Sequence, residues 1–399
     1  MVSATREDGV HTPIRLGMVG GGQGAFIGGV HRIAARLDGQ FSVVAGAFSS
    51  DPARSAASAA EYGVAPDRAY DSFEAMARAE AARPDGIEAV AIVTPNHLHH
   101  GPAKAFLEAG IHVICEKPVT ASLVDALDLQ RVAAASGKVF VLTHNYTGYP
   151  MVRQARQMCA AGELGRLRVV QVEYVQDWLT TRAEDTGSKQ AEWRVDPERA
   201  GAGGALGDIG THAFNLVSFV TGLTLDSVAA DLTAMVPGRR LDDNDHVLLR
   251  FAEGAKGMLW ATQVAPGHEN GLQLRVYGEK GGLCWHQEQP NHLWFTPFGE
   301  PKRLITRGGA DAGAAATRVT RIPGGHPEGY LEGFATIYAE AARAIRAAQS
   351  GMPLDADVAF PTIADGVAAM RFIDAAVRSS AADSAWTKLS DVGNSALGG

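Results

Sequence analysis

The chain has 399 residues, and at roughly 100–200 residues per domain two domains are expected rather than one. Apolar residues make up 46% of it, enough for a sizeable core, which excludes a disordered chain and a small disulfide-stapled scaffold. With 36 Lys plus Arg against 44 Asp plus Glu the formal net charge is −8, and no basic block occurs, so neither nucleic acid nor an anionic membrane surface is the expected partner.

Residues 1–13 read as an N-terminal extension: the start is polar, with Arg6, Glu7 and Asp8, and lacks the apolar core of a signal peptide. No apolar run approaches the roughly 18–20 residues a membrane span needs. Cys115, Cys159 and Cys284 are far apart and odd in number. They suggest neither a disulfide framework nor a zinc site, and no metal is expected. Three reduced thiols in a cytoplasmic protein are the simplest reading.

Residues 15–19 read as a buried strand, followed by glycines and a helical pattern through Leu37. Residues 41–48 form the next strand and 52–62 the next helix. Further strands are expected at 88–93, 112–115 and 139–143, separated by helices near 99–109 and 121–135. Such alternation predicts a doubly wound parallel sheet over residues 14–146 with helices on both faces. Ligands then bind at the edge where the strand C-termini lie. After Tyr146 the pattern changes. Residues 151–161 read as a helix and 167–177 as a strand with one exposed face. Strands near 225–232, 246–251, 257–263, 272–277 and 282–287, joined by short turns, predict a largely antiparallel sheet. Residues 308–316 are rich in small residues and read as a mobile loop, and amphipathic helices at 330–350 and 362–379 close the chain. Residues 147–399 are thus expected to form an α+β domain with a large, mostly antiparallel open sheet.

Three groups of residues carry chemistry. Gly20-Gly21-Gly22-Gln23-Gly24 lies between the first strand and the first helix, where amides without Cβ atoms and the helix N-terminus at Ala25 and Phe26 can approach a pyrophosphate. Gly20, Gly22 and Gly24 head the expected cofactor contacts. The third position of the G-x-G-x-x-G pattern is Ala25, with extra glycines at Gly28 and Gly29. After the second strand, a carboxylate would select NAD, whereas a hydroxyl with a nearby arginine accommodates the additional phosphate of NADP. Ser49, Ser50 and Arg54 lean slightly toward NADP and leave NAD open. Arg54 reads equally as a solvated helix charge, and Asp51 as a helix N-cap.

Thr94-Pro95-Asn96 and Glu116-Lys117-Pro118 each follow a strand and so fall on the ligand edge. Lys117 can hold its ammonium near reacting atoms, and Glu116 can pair with cofactor hydroxyls. Downstream, Gly207-Asp208-Ile-Gly-Thr-His212 opens an apolar helix. Asp208 and His212 are four apart, which puts both on one helix face. The imidazole can act as a general base, and the carboxylate can orient it or hold a substrate hydroxyl. Spacing alone equally allows Asp208 as an N-cap and His212 as an incidental residue.

In this order, the glycine loop, Thr94-Pro-Asn with His99, Glu116-Lys-Pro, Trp193-Arg194 and Gly207-Asp-Ile-Gly-Thr-His212 resemble the Gfo/Idh/MocA oxidoreductase family over nearly the whole chain. The resemblance implies a Rossmann domain holding NAD or NADP, and Lys117, Asp208 and His212 as the family's Lys–Asp–His catalytic set. It implies a substrate domain after Tyr146 whose open sheet mediates assembly into a dimer or tetramer. It also implies hydride transfer between nicotinamide and a secondary hydroxyl or ketone of a sugar, anhydrosugar or inositol-type polyol. Two features depart from the family pattern: a longer glycine loop before His31, and Ser49 where an acidic residue reads NAD. His326-Pro-Glu-Gly-Tyr330 is similar to a feature of subgroups acting on sugars or anhydrosugars, making His326 a candidate substrate contact. Tyr146, Trp178 and Trp193 join Lys117, Asp208 and His212 on that list, since flat rings pack on pyranose C–H faces. The family also contains enzymes that use held NAD transiently to cleave glycosides, and non-catalytic sugar sensors. Both stand as alternatives.

Overall fold

A computed structural model describes residues 12–393, so all but two residues of the expected N-terminal extension fall outside it. Five strands, β1 (Ile14–Gly20), β2 (Phe41–Ala47), β3 (Ala89–Val93), β4 (His112–Cys115) and β5 (Phe140–Leu142), form a wholly parallel sheet in the order β2-β1-β3-β4-β5. Their near-continuous apolar runs are those of strands covered on both faces; every residue of β3, Ala-Val-Ala-Ile-Val, is buried. The connections leave β1 toward β2 on one side and β3 on the other, which opens a crevice at the strand C-termini. Gly20 pairs in register with Val93. The glycine loop and Thr94-Pro95-Asn96 therefore emerge side by side.

Helices Phe26–Leu37, Pro52–Glu61, His100–Glu108 and Leu123–Ser136 match expectation, with Asp51 capping the second through its contact with the Arg54 amide at 3.0 Å. A further helix, Phe73–Ala82, was not anticipated. Its alanine-rich sequence has weak periodicity, and its clearest signal is the N-cap Ser72, whose hydroxyl accepts from the Ala75 amide at 3.2 Å.

The second sheet has nine strands: β6 (Leu167–Val175), β7 (Leu225–Thr233), β8 (Asn244–Phe251), β9 (Lys256–Thr262), β10 (Gly271–Gly278), β11 (Gly281–His286), β12 (His292–Pro297), β13 (Arg303–Thr306) and β14 (Thr387–Lys388). They are ordered β13-β12-β11-β10-β6-β9-β8-β7-β14, antiparallel except for the β6–β9 pair. The three strands β12–β14 went unread because they are short and carry little alternation. Helices Pro150–Ala160, Thr211–Thr221 and Ile363–Ala381 cover one face, while the other exposes Val169, Leu248, Met258 and Tyr277.

Two late segments behave differently from their sequence reading. The helix Tyr330–Ser350 leaves the second sheet and packs on the parallel one, where Phe334, Ile337, Tyr338 and Ile345 share an apolar cluster with Ile14, Leu16 and Met18. Burying each such side chain is worth about 1.5–3 kcal/mol. The stretch expected to be a mobile loop contains a short helix, Ala314–Thr317, tied down by Gly313 and Ala315 amides donating to Gln154 and Gln157. Among the described residues no helix is long and apolar enough to cross a membrane.

Candidate active site

A cavity of about 700 Å³ runs from the glycine loop to the start of the helix Thr211–Thr221. Gly20, Gly22, Ala25, Phe26, Ser49, Ser50 and Arg54 line one end. Thr94, Pro95, Asn96, Glu116 and Lys117 line the middle, and Tyr146, Trp193, Asp208 and His212 the other end. Four expected contacts lie off this wall. Gly24 is exposed, with a positive φ of 78°. His99 is fully buried, its ring nitrogens 2.7 Å from the Thr94 carbonyl oxygen and 2.8 Å from that of Pro118, so it braces two turns instead of touching a ligand. Trp178 is half-buried and donates its indole N–H to Gln176. His326 is exposed, in a turn held through its backbone by Arg307.

The first end suits a dinucleotide for a steric reason. Gly20 and Gly21 adopt φ values of 76° and 69°, a left-handed region that other L-residues avoid. A Cβ on Gly28 would sit 2.4 Å from the Gly21 Cα, so only glycine lets the helix close on the loop. Ala25 offers no side-chain cap, leaving the first amides of the helix free for an anion. At the end of β2 no carboxylate faces the cavity: the Ser49 hydroxyl accepts from the Asp51 amide, and Asp51 is spent on its cap. The Arg54 side chain lines the wall with no hydrogen bond among the described residues.

Glu116, expected to meet cofactor hydroxyls, is already engaged by the protein. Its carboxylate accepts from Thr143 at 2.5 Å and lies 2.8 Å from the His31 ring, which reaches Tyr338 at 2.7 Å. Burial would raise its pKa, but His31, Thr143 and the Lys117 charge hold it below the ordinary carboxylate value.

At the other end the side chains hold one another. Asp208 lies in a π-helical turn, Leu206–Gly210, feeding directly into the following helix, and it makes no cap. Such bulges recur at functional sites. Lys117 Nζ donates to the Asp208 carbonyl at 2.6 Å and to Oδ1 at 3.0 Å. Oδ2 accepts from Arg194 Nε and Gln263 Nε2, each at 3.0 Å. The carboxylate therefore positions Lys117, not His212 as one sequence reading had it. Burial opposes its ionisation, yet the Arg194 and Lys117 charges keep it well below the usual carboxylate range.

His212 is buried to 8% exposure, and burial followed by the Lys117 charge pushes its pKa well below the ordinary histidine value. It is thus neutral near pH 7. Its ring nestles edge-on against Tyr146 and His144, with centroids at 4.9 and 5.1 Å. Arg194, Gln263, His144 and Tyr174 escaped sequence-level selection as site residues. Arg194 was visible in the Trp193-Arg194 pair, whereas the others carry no local pattern and arrive only through tertiary packing.

A glycine cradle at the switch point of a parallel sheet, facing a half-buried lysine–carboxylate pair and a buried imidazole, defines a dinucleotide-dependent oxidoreductase. Residues 14–146 match a family described as oxidoreductase family, NAD-binding Rossmann fold, and residues 152–284 match the GFO/IDH/MocA C-terminal domain. The chain belongs to the Gfo/Idh/MocA oxidoreductase family. An oxidoreductase of known structure from Sinorhizobium meliloti is 59% identical, covering 95% of this chain and 100% of that one with a TM-score of 0.87. An inositol dehydrogenase homologue from Azotobacter vinelandii, solved with NADH and myo-inositol, is 36% identical over 94% of this chain and 98% of its own, with a TM-score of 0.89. Levoglucosan dehydrogenase from Pseudarthrobacter phenanthrenivorans is 29% identical over 70% of this chain and 75% of its own length.

Proposed function

We propose that the chain is a dehydrogenase acting on a secondary hydroxyl of a sugar, anhydrosugar or inositol-type polyol, with NADP favoured over NAD. The observation that carries this reading is the Lys117–Asp208 pair beside neutral His212, at the opposite end of one cavity from the glycine cradle. The relatives named for inositol and levoglucosan support the substrate class.

When bound, the dinucleotide would supply the hydride acceptor or donor through its nicotinamide, while the loop from Gly20 to Gly22 and the open amides at Phe26 would hold its pyrophosphate. An ammonium has three donors. Lys117 places two on Asp208, and the third remains for a substrate oxygen, where it stabilises developing alkoxide charge. His212, neutral and reaching the cavity, takes the hydroxyl proton on oxidation and returns it on reduction. Asp208 fixes Lys117, Arg194 fixes Asp208, and Trp193 offers a flat wall whose other face carries the Arg194 guanidinium at 4.3 Å. Absence of an acidic side chain at Ser49, together with an Arg54 side chain unpaired among the described residues, favours NADP. We extend the proposal to assembly: the face exposing Val169, Leu248, Met258 and Tyr277 is the surface through which copies pair.

The test combines thermal shift with turnover. NADP should stabilise the chain more than NAD at equal concentration, and an inositol, aldose or anhydrosugar should add a further shift. That same compound should reduce the nicotinamide, read by its absorbance. Product release from a glycoside without nicotinamide reduction would replace the dehydrogenase reading with the hydrolytic one.

A further inference from the structure

His212 requires a particular proton arrangement to serve as a base: its cavity-facing nitrogen must carry a lone pair, so its proton must sit on Nδ1. A triad carboxylate ordinarily enforces this. Here the nearby carboxylate is unavailable, because both Asp208 oxygens are engaged by Lys117, Arg194 and Gln263. The ring nitrogen facing His212 Nδ1 is His144 Nδ1, at 3.4 Å, with the rings inclined at 84°. His144 is 1% exposed, and its Nε2 has no partner among the described residues. It is held from its backbone: the amide donates to the Leu142 carbonyl, and the carbonyl accepts from the Thr147 hydroxyl at 2.8 Å.

Resting on the dehydrogenase reading, we propose that His144 is a positioning residue that accepts the Nδ1 proton of His212, fixing the tautomer in which His212 Nε2 is free to take the substrate proton. The argument is one of charge placement. Since Nδ1 of His212 faces His144, Nε2 is the nitrogen left toward the cavity that Lys117 also lines. A lone pair turned toward an ammonium is favoured over an N–H turned toward it. That leaves the His212 proton on Nδ1, His144 Nδ1 as its acceptor, and the His144 proton on Nε2. The geometry also fits the next step, since an imidazolium formed at His212 keeps the same Nδ1–H donor to His144. Burial drives the His144 pKa down to about 3, so it stays neutral and able to accept. The other titratable groups around His212 are Lys117, Asp208, Tyr146 and Tyr174. Burial keeps both phenols in their neutral form.

The test replaces His144 with phenylalanine, which keeps a ring but no nitrogen, and with asparagine, whose Oδ1 can occupy the place of Nδ1. In the full chain with isotope-labelled histidine at neutral pH, nitrogen NMR should show the His212 proton on Nδ1, assigned by its loss in His212→Phe. His144→Phe should shift it toward Nε2 and His144→Asn should retain it. The kinetic counterpart is a fall in kcat/KM of about 10–100-fold for His144→Phe, part of the ~10²–10⁴ a positioned base provides, with most of it restored in His144→Asn and cofactor Kd unchanged in both. A His212 proton on Nε2 in the wild type, or a tautomer indifferent to His144→Phe, overturns the proposal. The NMR readout needs no turnover, so it decides the pairing even if His212→Phe leaves activity intact and the dehydrogenase reading itself fails.

Discussion

The two ends of the cavity are built by opposite means. At the cofactor end the site is made of missing atoms: Gly20, Gly21 and Gly28 let backbone approach backbone, and the helix at Phe26 leaves its amides open. At the end proposed for substrate it is made of side chains that restrain one another, Arg194 and Gln263 on Asp208, Asp208 on Lys117, His144 against His212. A backbone site tolerates no addition, whereas a side-chain site tolerates no subtraction. The lesson is that damage at one end should appear in affinity and at the other in rate.

The sharpest break of that contrast comes from subtraction. Lys117→Met and His212→Phe should each lower kcat by about 10²–10⁴-fold while cofactor Kd, measured by quenching of intrinsic fluorescence, stays within a few-fold. Loss of cofactor binding in either variant would show that the two ends are not separable. Addition at the other end comes next. Gly28→Ala forces a Cβ to within 2.4 Å of Gly21, so the loop must move, and cofactor Kd should rise at least about tenfold, a penalty of about 1.4 kcal/mol. Gly24→Ala meets no atom within 4 Å and bears only the strain of its positive φ, so it should weaken binding much less. Acid acts on stability and not on binding. Because burial depresses the folded pKa values of His144 and His212, the unfolded chain binds more protons once pH falls below about 6.5, and stability drops with it. Denaturant melts at about pH 6.5 and about pH 5 should differ by about 2 kcal/mol from His144 alone, and His144→Phe should remove that share. Asp208, whose folded pKa is depressed, holds its contribution throughout this window and loses it only under stronger acid. Cofactor choice should respond at the same end: Ser49→Asp should move the NADP-to-NAD affinity ratio toward NAD by about tenfold, about 1.4 kcal/mol, read by titration of each cofactor.

The same contrast explains what could be read from sequence. The cradle was legible because its requirement is local: a strand, glycines and a helix in succession have few other uses. Lys117, Asp208 and His212 were legible as types at meaningful offsets, but not their pairing. The four-residue spacing pointed Asp208 toward His212, yet a π-turn and two distant partners, Arg194 and Gln263, turn it to Lys117. His144 follows the short strand β5 with no pattern around it, and only the crossing of two elements brings it beside His212. His326 shows the converse, a suggestive motif that the fold leaves at the surface.

The return of the helix Tyr330–Ser350 to the parallel sheet bears on synthesis. Residues 14–146 leave the ribosome before the helix Tyr330–Ser350 does, so the apolar cluster of Ile14, Leu16 and Met18 lacks Phe334, Ile337 and Ile345 until that helix has been translated. Residues 14–146 must therefore wait with part of one sheet face uncovered, a state open to aggregation and to chaperone capture. A protein whose cofactor and substrate ends look modular is completed as one unit.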